Sequence, residues 1–252
     1  MSDLPLGPLT VPLIVYTQKF SALIEAGVSL AACMKLLGET TADPAMREAN
    51  EFLSQRVEHG ETLSKAMGER PEVFSSFYIA FVHAGEIGGV LDEAFVHLAD
   101  WLEQERDAAE RLQLRTLLAK LRRGLDSGGA SPDARAQAAF RRARRMARIA
   151  SFCRLFEMLL VAGVPSRLAL RTAGEVLEPE ITAVIPDGVE GVTPERWVAD
   201  VVGRVEDLKP VVASLVGVGE EHACLDHMLR KAAQFYDAEA AGILHEAGQV
   251  AG

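Results

Sequence analysis

Four carboxylates stand out by type and position. Glu86 and Asp92 lie in the stretch Val82 to Leu102, and Glu220 and Asp226 lie at matching places in Val216 to Tyr236. Paired acids can work as general acid and base, but that chemistry needs two carboxyl groups converging on one substrate. Adjacency in sequence, as in Glu220 and Glu221, does not supply convergence. The commoner task of an acid near a helix start is to satisfy free amide groups and face the positive end of the macrodipole, contributing about 0.3 to 1 kcal/mol each. A second reading makes the edge of the turn a partner-docking surface. The histidines form no His-Glu-x-x-His, and His222 and His227 are splayed too far around a helix to share an ion. A Gly-Lys-Ser/Thr phosphate loop, a Gly-x-Ser-x-Gly elbow and a glycine-rich dinucleotide fingerprint are all absent from the sequence. The sequence therefore predicts no catalytic residue, no cofactor and no metal.

The elements that carry these acids explain them better. In both stretches an apolar helical run meets Gly-Glu, crosses a short break and resumes as Leu-Asp. Gly85 and Gly219 are expected to give a sharp helix-helix turn its backbone freedom. After the break Leu91, Phe95, Leu98 and Leu102 recur at helical spacing, as do Leu225, Met228, Leu229 and Ala232. The candidate docking or turn-defining set is thus Gly85, Glu86, Leu91 and Asp92 with Gly219, Glu220, Leu225 and Asp226. A recurring helix-turn-helix implies a duplicated helical unit.

The rest of the chain fits the duplication. Residues 1–12 hold three prolines and read as a flexible lead-in. A first helix starts near Leu13 and breaks at Ala26-Gly27-Val28, and Ser29 is placed to cap the second. Asp43-Pro44 starts a third helix ending at His59-Gly60, Thr62 caps a short fourth, Ser75 opens a fifth ending at Ala84-Gly85-Glu86, and a long sixth runs from about Val90 into the 120s. The second unit restarts at Ile149, where Phe156, Leu159 and Ala162-Gly163-Val164 echo Phe20, Leu23 and Ala26-Gly27-Val28. Pro186 and Gly188 then interrupt its third helix, and Thr193-Pro194 restarts the pattern. The expected fold is all-α, two tandem six-helix antiparallel bundles related by an internal repeat. Its expected segments are a lead at 1–12, a first domain at 13–121, an arginine-rich linker at 122–148 and a divergent second domain at 149–252.

Charge narrows the partners. The formal net charge is -10, which disfavours nucleic acid as a global partner. The exception is local: residues 122–148 carry eight arginines against two aspartates. One reading is a solvated helix flank. The other is that Arg141, Arg142, Arg144, Arg145 and Arg148 contact anionic lipid headgroups, each gaining about 1 kcal/mol. Cys33, Cys153 and Cys224 are far apart and read as reduced, buried thiols. No basic region precedes an apolar run at the N-terminus, and the most apolar window, Ser151 to Leu170, is broken by Arg154, Glu157, Pro165 and Arg167, so neither a secretory signal nor a membrane span is expected. Phe95 and Trp101, or Trp197 and Tyr236, could line a homodimer interface, although core packing is the commoner fate of such residues.

With the duplication in view, the chain resembles the GspF/PilC family, the inner-membrane platform proteins of type II secretion and type IV pilus machines. The residues that carry this are FSALIEAGVSLAACMKLL, HGETLSKAM and FVHAGEIGGVLDEAFVHLADWLEQE, with the weaker second copy. The resemblance implies two six-helix cytoplasmic domains and a non-enzymatic scaffold that couples a cytoplasmic assembly ATPase to pilin or pseudopilin assembly, with other inner-membrane platform components as further partners. Family members usually carry a membrane span after each domain. Here the arginine-rich stretch stands in place of the first. A cytoplasmic location, with peripheral attachment to the inner face of the membrane, is what this departure implies. The alternative is a soluble helical adaptor or regulator that keeps the fold without machine assembly.

Overall fold

A computed structural model describes residues 10–123, 132–177, 197–208 and 211–249, and every regular element among them is helical. The first half holds α1 (Thr10–Glu25), α2 (Leu30–Thr40), α3 (Pro44–Glu58), α4 (Leu63–Gly68), α5 (Ser76–Gly88) and α6 (Leu91–Arg123). The second holds α7 (Pro132–Val161), α8 (Ser166–Gly174), α9 (Trp197–Val202), a single 3-10 turn (Glu206–Leu208), α10 (Val211–Glu221) and α11 (Leu225–Gln249). Most of the lead-in, residues 124–131 of the expected hinge, and the segment with Pro186, Thr193 and Pro194 lie outside the described residues.

Local chemistry sets the helix starts. Asp43 accepts from the Met46 amide at 2.9 Å with Pro44 in the first helical position, Thr62 accepts from Lys65 at 3.4 Å, and Ser75 from Tyr78 at 3.2 Å. Two expectations need correcting. Ser29 makes no side-chain cap bond. And α1 begins at Thr10, because Pro12 falls in the first turn, where its missing N–H costs no intrahelical bond.

Ala109 and Phe140 form a small separate cluster, while most of the buried apolar residues form one core that runs through both halves. Phe95 is its hub in the first half, with ring centroids 4.2 Å from Phe20 and 6.4 Å from Tyr78. Trp101 stacks on Phe77 at 4.0 Å. Phe95 and Tyr236 are buried, and Trp101 and Trp197 are half-buried and pack against the core. Several polar groups of the first half's core are paired: the Tyr16 hydroxyl donates to Asn50 Oδ1 at 2.9 Å, Asn50 Nδ2 donates to the Met34 carbonyl at 2.8 Å, and Thr17 and Tyr78 share a 3.0 Å bond. Burial pushes the Tyr16 and Tyr78 hydroxyls above the usual tyrosine range. Cys33 and Cys153 are buried free thiols, and Cys224 is half-buried.

The halves meet where α5 packs on α7 and α8 and where α6 packs on α7. His83 Nδ1 lies 3.0 Å from Glu175 Oε2, and the Arg148 guanidinium lies 5.8 Å from the Phe77 ring centroid. Gly88 approaches α7 so closely that a Cβ there would come 3.2 Å from Leu159 Cδ2. The arginine stretch is helical from Pro132 onward, and α7 carries it without a break into the core-forming residues Ile149 to Leu159.

Candidate functional site

The two carboxylate turns have the same backbone plan. α5 does not stop at Ala84-Gly85-Glu86 as expected but runs on to Gly88, and the chain reverses at Gly89, whose φ is 68°. In the second half α10 runs through Gly219-Glu220 to Glu221, and Ala223 takes the equivalent left-handed conformation, φ 52°. The Val90 amide donates to the Gly85 carbonyl at 2.9 Å, and the Cys224 amide donates to that of Gly219 at the same distance. Each pair is the long closing bond of a left-handed helix end.

Gly85 and Gly219 therefore do a different job from the one expected. Both are helical, and neither has positive φ. What they provide is room for the helix after the turn. A Cβ at Gly85 would sit 2.8 Å from Ala94 Cβ and 3.1 Å from Leu91 Cα, and one at Gly219 would sit 2.8 Å from Leu225 Cα. Leu91 and Leu225 are thus the residues seated against bare backbone.

Positive φ falls instead on Gly89 and Ala223. For an L residue the left-handed region costs about 1 to 2 kcal/mol, while replacing alanine by glycine loosens the unfolded chain by about 0.4 to 1 kcal/mol. Ala223→Gly should accordingly raise the unfolding free energy by about 0.5 kcal/mol or more, seen as a higher denaturant midpoint at unchanged slope.

Glu86 and Glu220 do satisfy free helix amides, but not those of the helix that follows them. Glu86 reaches back to the start of α4, accepting from the Leu63 amide at 2.5 Å, the Ser64 amide at 3.2 Å and the Ser64 hydroxyl. With Thr62 taking Lys65, the amides of the first three residues of this six-residue helix are all filled. Glu220 accepts from the Val198 and Ala199 amides at 2.8 Å each, at the start of α9. One glutamate in each half thus pins a short helix to the helix before the turn. Asp92 and Asp226 lie in the first turns of α6 and α11, where the macrodipole favours them, and Asp92 is exposed.

The arginine group faces several ways. Arg144 Nε lies 3.2 Å from Glu105 Oε2, Arg142 lies 3.1 Å from Glu239, and Arg148 reaches Phe77, while the side chains of Arg141 and Arg145 are exposed. Between α6, α7 and α11 lies a cleft of about 610 Å³ lined by Trp101, Glu105, Phe140, Arg144, Asp237 and Leu244 among others. Burial raises the Glu105 carboxyl above the usual range against the pull of Arg144 and Arg148, and raises Asp237 against its partner Arg154. Burial, helped by Arg154, lowers His97. These half-buried charged partners are the residues that sequence reasoning missed. A signal was present: Glu105 continues the stripe of Leu91, Phe95, Leu98 and Leu102, and a carboxylate on a buried stripe demands a cation. Among the described residues no group of three or more histidine, cysteine or acidic side chains could hold a metal ion, and no helix is long and apolar enough to cross a membrane.

The two turns and the helices they join coincide with two stretches, residues 16–121 and 152–242, that match the family model of type II secretion system (T2SS) protein F. The chain belongs to the protein F family. Each matched stretch holds one Gly-Glu and Leu-Asp turn, and the arginine group falls between them. Among curated relatives, a type IV pilus assembly protein PilC of Myxococcus xanthus is 28% identical over 116 residues, 42% of this chain and 28% of that protein. A type II secretion system protein F of Vibrio cholerae is 31% identical over 107 residues, 42% of this chain and 26% of that one. The protein F of Xanthomonas campestris is 34% identical over 94 residues, 37% and 23% of the two chains. The chain thus spans about a quarter of the length of the curated relatives it matches. GspF/PilC membership, expected from the sequence, is borne out.

Proposed function

We propose that this chain is a non-enzymatic scaffold of a type II secretion or type IV pilus-like assembly machine, built from two tandem copies of a six-helix unit and engaging a cytoplasmic assembly ATPase. The observation that carries the reading is the coincidence of the family match with a doubled turn in which a glutamate pins a short helix. Chemistry built this way yields rigid helical surface, which suits a platform. Asp92, exposed at the head of the longest described helix, is the side chain proposed to meet the partner. Other platform components, and anionic lipid at the exposed Arg141 and Arg145, belong to the same proposal. It places the chain at the inner face of the cytoplasmic membrane.

The test is capture of the cognate secretion or pilus assembly ATPase. Wild-type chain on beads should retain it, and Asp92→Ala, with its helical spectrum intact, should retain several-fold less. Absence of capture by the wild type overturns the ATPase reading, and equal capture by both overturns the role of Asp92. Sedimentation with vesicles rich in anionic lipid at low salt tests the lipid contact, and a chain that stays in the supernatant removes it.

A further inference from the structure

The contact between the halves is asymmetric. α5 packs on α4 and α6 much as its counterpart α10 packs on α9 and α11, but α5 alone bears a further layer, α7 and α8. Aligning Gly85-Glu86 with Gly219-Glu220 matches the covered face of α5 to an uncovered face of α10. Ala80 and Ala84, buried between the Phe77 and Gly88 contacts, correspond to Ser214 and Val218, both exposed, Val218 by 43%. Aligning Ala26-Gly27-Val28 with Ala162-Gly163-Val164 does the same for the opposite face. Leu155 and Thr172 of α7 and α8 are buried, while their counterparts in α1 and α2 are the half-buried Lys19 and the exposed Leu36. Two of the large apolar side chains left in water, Leu36 and Val218, therefore lie one on each unused half of an interface that the molecule already makes once.

We propose that a second copy of this chain covers these faces, the α10 face of one molecule docking on the α1 and α2 face of the next and repeating between molecules the contact made within each. Such an interface joins two different surfaces, so it extends head to tail or closes into a ring rather than stopping at a symmetric pair. The external contact is weaker than the internal one. Gly217 stands where His83 would, so the ion pair with Glu175 has no equivalent, and Val218 and Leu36 supply the apolar contact without it. Association should accordingly depend on concentration. The inference rests on the duplicated-unit reading above and is independent of the ATPase, whose capture is measured separately.

Light scattering over a concentration series, with and without a mixing step, tests it. Wild-type protein should rise above the 27.2 kDa of one chain as concentration increases. Leu36→Asp and Val218→Asp should each stay monomeric, since each lacks one of the two faces. An equimolar mixture of the two should regain association but stop at two chains, because one intact face remains on each. Phe235→Ser, at an exposed side chain of α11 away from both faces, should behave as wild type. A monomeric wild type, an aspartate variant that still associates, or a mixture that stays monomeric each overturns the proposal. Ala26→Arg and Ser214→Arg, both at exposed positions on the same two faces, replace either aspartate variant that loses its helical spectrum.

Discussion

Glu86→Ala should lower the unfolding free energy by about 3 kcal/mol, the larger of the two acid substitutions at this turn. The substitution strips three donors of their acceptor at once: the Leu63 and Ser64 amides and the Ser64 hydroxyl. A hydrogen bond to a charged group contributes about 1.5 to 3 kcal/mol, and an unsatisfied buried donor costs a similar amount. Ser64 and Leu63 are buried, so water cannot simply replace the carboxylate. The sum is held down because wild-type Glu86 gives up its own hydration to bind there. Glu86→Gln keeps one acceptor oxygen but turns an NH2 toward donors, so it should fall between alanine and wild type. Asp92→Ala removes only a first-turn charge and should cost about 0.3 to 1 kcal/mol. Denaturant unfolding of the three variants decides between the two roles. If Glu86→Ala costs no more than Asp92→Ala, the pinning of α4 contributes nothing beyond the helix dipole.

That contrast also shows what the sequence could and could not reveal. The helical class, the caps at Asp43, Thr62 and Ser75, and the stripe through Phe95 follow from spacing and side-chain type, which are local. The acids were legible as ligands of free amides for the same reason. Which amides they serve was not, because Glu86 and Leu63 are brought together only when α5 folds back along α4. The role of Gly85 was hidden likewise: φ freedom and close approach both select glycine, and only the position of Leu91 distinguishes them. Composition marked the arginine stretch as distinct, yet Arg144 and Arg148 turn toward Glu105 and Phe77 because the helix face they share with Phe140 and Ala147 lies against α6, a tertiary fact.

The close approach at Gly85 yields the second large effect. Gly85→Ala inserts a methyl 2.8 Å from Ala94 Cβ and 3.1 Å from Leu91 Cα, neither of which can rotate out of the way. Overpacking of this kind costs about 1 to 3 kcal/mol, while alanine in mid-helix returns about 1 kcal/mol over glycine. The net loss is smaller than the clash alone, but Gly85→Val gives up most of the helix gain and adds two more methyls, so about 4 kcal/mol is expected. Gly219→Val should match it, since the obstruction there is the Leu225 backbone, 2.8 Å from the new Cβ, and shifting Leu225 moves the head of α11, which packs along α7. Gly242 supplies the opposite sign. It is helical with nothing within 4 Å of a new Cβ, so Gly242→Ala should stabilise the protein by up to about 1 kcal/mol. Thermal or denaturant unfolding of Gly85→Val beside Gly242→Ala separates crowding from propensity. A Gly85→Val protein as stable as wild type would mean that α5 and α6 do not approach at this turn as closely as 2.8 Å implies.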